Sequence, residues 1–287
     1  MRNLRMSIGL LLIVVMFSVG CATNQYSFKV AYAPNRQYRI EMSTETKSEV
    51  EIAGKEEVLA ELKNKGMQLP LRVDFTQQMT VLLQTQQPQP GGTFPFSLVY
   101  EKFDNIIKMN GMERNSSPGL DLAGLKISGT IQNGNVIQVE GIEGGNIDEK
   151  SKEILIQFAE NLSKNVHYPE KPMKIGDKFT QEIPMTLPVP NLGPLNLRIV
   201  SIYELQKVVK NLAYFKVVQE FKMNSSDQKL NLELTGSGGG ALVHDLAANI
   251  SSEFNSNYEI FLTMNHEEIQ VKMKANSVSK YKMASQK

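Results

Sequence analysis

The residues of this chain that could do chemistry are few: one cysteine, three histidines and a serine set among glycines. Cys21 is the single cysteine in 287 residues, so no intramolecular disulfide can form and the thiol is either a spare group or a point of attachment. His167, His244 and His266 are the side chains whose ordinary titration lies near neutral pH. "HEEIQ", from His266, begins like a zinc-protease helix but lacks the second histidine four places on, and it falls at a strand edge. His244-Asp245 has the composition of half an acid–base pair. A nucleophilic serine needs a strained turn of the G-x-S-x-G kind, whereas Gly236-Ser237-Gly238 reads as glycine-rich linkage. "GSGGG" lacks the Lys-Ser/Thr of a phosphate loop. No metal-ligand spacing stands out. The histidines are read as surface or turn residues, and neither catalysis nor a metal nor a cofactor is expected.

The cysteine is informative by position. Arg2 and Arg5 open the chain, "IGLLLIVVMF" (Ile8 to Phe17) is nearly unbroken apolar sequence, and small residues precede Cys21. A helix of ten to thirteen residues spans only ~15–20 Å, against about 30 Å of hydrocarbon in a bilayer. A secretory signal peptide fits this pattern and a permanent span does not. Ser18-Val19-Gly20-Cys21 resembles the lipobox of bacterial lipoproteins, with Ser18 where that family usually has Leu. The resemblance implies removal of residues 1–20, a diacylglycerol on the Cys21 sulfur, an acylated new amino group, and a membrane partner engaged through those chains. Ala22 in place of Asp implies, in a Gram-negative host, the periplasmic side of the outer membrane.

Removal of residues 1–20 takes Arg2 and Arg5 from the 31 basic residues and none of the 30 acidic ones, which leaves a near-neutral body. That balance argues against a nucleic-acid partner. Residues 21–36 read as a tether of at most ~50 Å, which would keep the body near the membrane surface. The rest is long enough to bury a sizeable core.

The elements that must position any site are mainly strands. In "YRIEMSTETKSEVEI" the even positions Tyr38, Ile40, Met42, Val50 and Ile52 are apolar, while Arg39, Glu41, Glu45, Lys47, Glu49 and Glu51 alternate with them. In "LRVDFTQQMTVLL" Leu71, Val73, Phe75, Met79, Val81 and Leu83 form the apolar side. The same alternation recurs at 99–109, 125–131, 136–142, 195–199, 215–223, 230–234, 254–264 and 269–275. One buried face and one wet face predict antiparallel sheet. Asn133-Gly134 predicts a hairpin, Ser237–Gly240 and Asp245–Asn249 looser connections, and Gln87–Phe96 a proline-broken loop.

Two helices are expected. The longer begins at Asn146 as N-cap with Glu149 in a variant capping box, and it presents Ile154, Leu155, Phe158, Ala159 and Leu162 as one stripe. The shorter covers Lys55–Lys65 with Gly66 closing it. The long helix divides the chain into strand-rich halves, 37–168 and 169–287, with about five strands in each, within one continuous domain.

The expected fold is therefore mainly β (α+β): a long curved antiparallel sheet or half-barrel with one long amphipathic helix and one short one. Lipobox, tether, alternating strands and "YPEKPMKIGDKF" (Tyr168–Phe179) resemble uncharacterised strand-rich bacterial lipoproteins. By architecture alone the pattern is also similar to the lipoprotein-carrier half-barrel, a sheet closed by a helix over an apolar cavity. That similarity transfers no catalytic residue. Fourteen methionines, among them Met42, Met79, Met109, Met223, Met264 and Met273 on the apolar sides of strands, suit either ordinary core filling or an adaptable hollow. With Trp absent, aromatic platforms for sugars are poorly supplied. The expectation is a non-catalytic, lipid-anchored envelope protein binding a hydrophobic ligand or a protein partner, with Phe75, Met79, Phe158 and Leu162 lining the hollow. The rivals are a scaffold lipoprotein with a filled core, and an envelope hydrolase with His244 or His266 beside a nucleophile or carboxylate in a cleft.

Overall fold

The computed structural model describes residues 24–64, 66–114, 122–145, 147–162, 166–189, 193–223, 232–266 and 269–286. Cys21, Asn146, Leu230 and the side chains of Ile154 and His266 lie outside the described residues. The first half of the chain gives strands β1 (Gln37–Gly54), β2 (Leu71–Thr85), β3 (Thr93–Met109), β4 (Met112–Arg114), β5 (Lys126–Gln132) and β6 (Val136–Glu143). Helix α1 (Glu56–Asn64) follows β1, and α2 (Glu149–Asn161) follows β6. The second half gives β7 (Lys178–Val189), β8 (Gly193–Val209), β9 (Leu212–Met223), β10 (Leu232–Asp245), β11 (Ile250–His266) and β12 (Ile269–Gln286).

All twelve strands belong to one open, curved antiparallel sheet in the order β6-β5-β3-β2-β1-β12-β11-β10-β9-β8-β7, with β4 on β3. Each half of the chain is a run of antiparallel neighbours. The halves meet at a central seam, where β1 and β12 pair without a bulge from Gln37↔Gln286 to Gly54↔Ile269. The period-two pattern thus gives the strands, and pairing of the first with the last gives the sheet its width.

The alternation sorts the two faces. Tyr38, Ile40, Val81, Leu83, Leu98, Leu242 and Phe215 are buried on the inner face. The outer face carries charges in cross-strand pairs such as Glu49 with Arg72 and Glu259 with Lys274. These exposed pairs contribute little to stability. Midway along the strands a polar belt crosses the inner face. Thr44 and Ser279 hydroxyls lie 3.2 Å apart, Thr46 and Ser277 2.8 Å apart, and Gln219 donates to Ser201 at 3.1 Å. Beyond the belt lies a second apolar zone, which includes Val73, Phe75, Ile107 and Met273.

Ser237–Gly240 is not a connection, contrary to the sequence reading, but the middle of β10. The reason is curvature. A Cβ at Gly240 would sit 2.0 Å from the Asn255 carbonyl oxygen, and one at Gly238 would sit 2.5 Å from the Asn257 carbonyl oxygen and the Tyr258 Cβ. Bare backbone at these inner-face positions lets β10 press against β11 and the sheet curl.

The hairpin between β5 and β6 turns through Asn133 and Gly134, both with positive φ (53° and 75°), as a type I′ turn requires. Helix α1 ends as expected at Gly66: its N–H bonds to Lys63 O at 2.9 Å, and the next N–H bonds to Leu62 O at 3.0 Å. The start of α2 differs from the reading. Asp148, in extended backbone, is the N-cap and accepts from Ser151 N–H at 2.7 Å. A carboxylate here also meets the positive end of the helix dipole. Glu149 pairs instead with Lys152 at 2.6 Å. Leu155, Ala159 and Leu162 are buried against the β1–β6 half of the sheet, with Phe158 half-buried beside them.

The segment read as a tether is, from Tyr26 on, part of the body. Tyr26 pairs with Met173 just before β7, Ala31 N–H donates to Asn249 O at 2.8 Å, and Tyr32 N–H donates to Gly134 O at 2.6 Å. This strap runs from the β7 side past the β10–β11 turn to the β5–β6 hairpin, across the end of the curved sheet. Phe28 and Tyr32 are buried beneath it. Every core cluster among the described residues draws on side chains between Tyr26 and Met283, so a chain starting at residue 22 carries all of the described fold.

Candidate functional site

Where the strap, the end of α2 and the inner face of the sheet converge, they leave a partly enclosed cavity of about 220 Å³. The strap contributes Val30 and Tyr32, the helix end contributes Leu162, and the segment leading to β7 contributes Val166. Its floor is sheet: Met42 from β1, Tyr281 and Met283 from β12, Ile250, Ser251 and Phe254 from β11, and Leu242 from β10. Gln219, Tyr203 and Ile183 complete it from β9, β8 and β7. Residues from strands as far as six places apart in the sheet reach one hollow only because the sheet is curled.

The wall is apolar apart from three tyrosines, Gln219 and Ser251, and none of its described residues carries a charge. Two of its polar atoms, Tyr32 Oη and Ser251 Oγ, are buried without a hydrogen-bond partner. Burial raises the pKa of Tyr32, Tyr203 and Tyr281, so all three hydroxyls stay protonated.

An aromatic cluster anchors the strap near this site. Phe28 stacks on Tyr168 at 5.3 Å between ring centroids and meets Phe215 edge-on at 5.1 Å. Phe179 stacks on Tyr203 at 4.7 Å. His244 lies inside this cluster, fully buried, with Nδ1 3.1 Å from the Tyr168 hydroxyl. Burial lowers its pKa from the ordinary 6.5 to about 4, against a weaker opposing pull from Asp245. This corrects the reading of His244 as a surface or turn residue. The alternation contained the signal, since His244 falls on the same side of β10 as Leu242.

Of the residues expected to line a hollow, Leu162 forms part of the cavity wall. Phe158 and Met79 belong to the surrounding core cluster, with Met79 directly opposite the cavity residue Met42. Phe75 is four residues further along β2, roughly 13 Å away, in the apolar zone beyond the polar belt. The strap residues Val30 and Tyr32 were missed, although "YSFKVAY" alternates apolar and polar from Tyr26 to Tyr32.

His167 is exposed, and His266 is the last residue of β11. Ser237 and His244 are seven residues apart on one extended strand, roughly 23 Å, and form no pair. Among the described residues no group of three or more His, Cys, Asp or Glu could hold a metal ion. No described helix is long and apolar enough to cross a membrane.

The fold and cavity together define a curved β-sheet protein with a strapped apolar hollow. No protein-family model matches the chain, and no curated protein matches it. Among solved structures the chain is similar to Pseudomonas aeruginosa OccK7 (OpdD), at 6% identity and TM-score 0.21 over 87% of this chain and 99% of that one. It is similar to Pseudomonas aeruginosa OpdL at 7% identity and TM-score 0.20, with the same coverage. Likenesses at this level carry no argument about what the chain does.

Proposed function

We propose that this chain is a lipid-anchored protein of the cell envelope that holds a hydrophobic ligand at the membrane surface without catalysing a reaction. In a Gram-negative host its place is the periplasmic side of the outer membrane. The observation that carries the reading is the apolar cavity. A space of about 220 Å³ walled by side chains from seven strands, the strap and the helix end supports binding, since a filled core would leave no such hollow. The anchor supports the reading. Five peptide units separate Cys21 from the docked Tyr26, at most ~18 Å when extended, so acyl chains on the cysteine would hold the strapped end of the body against the bilayer.

Purified residues 22–287 are expected to take up one lipophilic fluorescent dye per chain. Val30→Trp, which fills the cavity from the half-buried strap, is expected to weaken uptake at least tenfold while leaving the unfolding temperature nearly unchanged. No uptake by the wild-type chain, or full uptake by a folded Val30→Trp, overturns the binding reading in favour of a filled scaffold.

The anchor has its own test. Cys21→Ser in growing cells is expected to abolish fatty-acid labelling of the protein and to move it out of the membrane fraction. Labelling and fractionation identical to wild type would remove the anchor from the proposal.

A further inference from the structure

We infer that the cavity is built for a small, single-chain amphiphile whose polar end is uncharged, such as an alcohol, and this rests on the ligand-binding reading above. Three features converge on that class.

The first is size. At about 220 Å³ the hollow is below the ~300–1,000 Å³ common for small-molecule pockets, so it suits one apolar chain and not a diacyl lipid.

The second is charge. The described lining offers no Lys, Arg, His, Asp or Glu to a ligand. A carboxylate or ammonium taken into such a wall would lose its hydration and gain no counter-ion. The tyrosines cannot serve as anions, because burial keeps their hydroxyls protonated.

The third is the pair of buried hydroxyls left without partners. Tyr32 Oη is wholly inside, on a side chain only 3% exposed. Ser251 Oγ lies close to the Tyr168 hydroxyl but outside hydrogen-bond geometry. Buried polar groups in folded proteins are nearly always paired, and an unpaired one is costly to keep. Both belong to residues of the cavity wall, one on the strap and one on β11. Neither oxygen is accessible from the hollow as it stands, so a ligand hydroxyl, which both donates and accepts, pairs with one only once that side chain turns inward.

The test uses three probes with the same ten-carbon chain: 1-decanol, decanoate and decane. Each competes with the lipophilic dye on purified residues 22–287, in the wild type and in Tyr32→Phe. In the wild type decanol is expected to displace the dye at roughly tenfold lower concentration than either other probe, about the worth of one good hydrogen bond. Tyr32→Phe, which removes one oxygen and keeps the ring, is expected to bring decanol to the level of decane and leave decane unchanged.

A purely structural role for Tyr32 would weaken all three probes together, and that result overturns the inference. So does a decane or decanoate as effective as decanol in the wild type. If the dye binds but none of the three displaces it, the ligand class is wrong while the binding reading stands. If the dye itself does not bind, both fall.

Discussion

Gly240→Ala is expected to cost at least ~3 kcal/mol of folding stability, the upper end of what overpacking a core usually costs. The added methyl would meet the Asn255 carbonyl oxygen at 2.0 Å. A side-chain neighbour could swing aside, but this atom belongs to the backbone of the paired strand. Relief requires β10 and β11 to part, and their separation would flatten the sheet around the cavity floor at Leu242 and Phe254. Gly239→Ala is the control. It lies on the outer face of the same glycine run, and its Cβ would stand 3.1 Å from the Val217 carbonyl oxygen, so a small shift accommodates it. Urea unfolding of both variants decides the matter. Equal costs at 239 and 240 would mean that curvature does not depend on bare backbone on the inner face.

The second large effect is on pH dependence. His244 has its pKa lowered by burial from the ordinary 6.5 to about 4 in the folded chain. Between those values the unfolded chain binds a proton that the folded chain refuses, so stability falls as pH falls. The contribution is complete above about pH 6.5, declines through the interval and is exhausted below about pH 4. A difference of this size corresponds to about 3 kcal/mol. The groups facing the ring are the Tyr168 ring and hydroxyl, the Phe28 ring, and the neighbouring Asp245, whose attraction for the protonated form is the smaller influence.

His244→Phe is expected to lower stability at pH 7.5 through loss of the Tyr168 hydrogen bond. It should also flatten the slope between pH 6.5 and 4.5. Denaturant unfolding at several pH values measures both. Parallel curves for the two proteins would show that the buried imidazole is not what makes the fold acid-sensitive. Because Tyr168 and Phe28 pack on this ring, the acid-induced loss should begin with release of the strap.

Much of the fold was legible because a strand with one buried face writes its geometry into alternate residues. Arg39 to Glu51 between Tyr38 and Ile52 gave β1 nearly to its ends. Asn133-Gly134 gave its hairpin, and Gly66 gave the end of α1, because each needs a backbone conformation that few residues adopt. Sheet order was not legible, since alternation says which way a side chain points and nothing about which strand lies alongside. The glycines of β10 were misread because a curved strand and a loop favour the same residue for different reasons. Asp148 displaced Asn146 as the cap because both types suit the position and only the path of the chain selects one.

The candidate site was less legible than the fold. Leu162 could be named because its helix has a stripe. Tyr32 and Ser251 could not, because they come to the wall of one cavity only when the strap crosses the sheet and β11 returns beneath it. Unpaired hydroxyls are a property of the packed molecule and leave no mark in a pattern of residue types.

The pairing of β1 with β12 has a consequence for how the molecule comes into being. These two strands are the first and the last of the sheet to be synthesised, yet each is the other's neighbour along its whole length. Until the eighteen residues of β12 have emerged, β1 has one open edge and the two meanders share no strand seam. Vectorial folding can yield at most two half-sheets, and a stop codon even a few residues past His266 would leave them unjoined. Completion of the sheet waits for β12, with a long loop to close and a correspondingly slow last step.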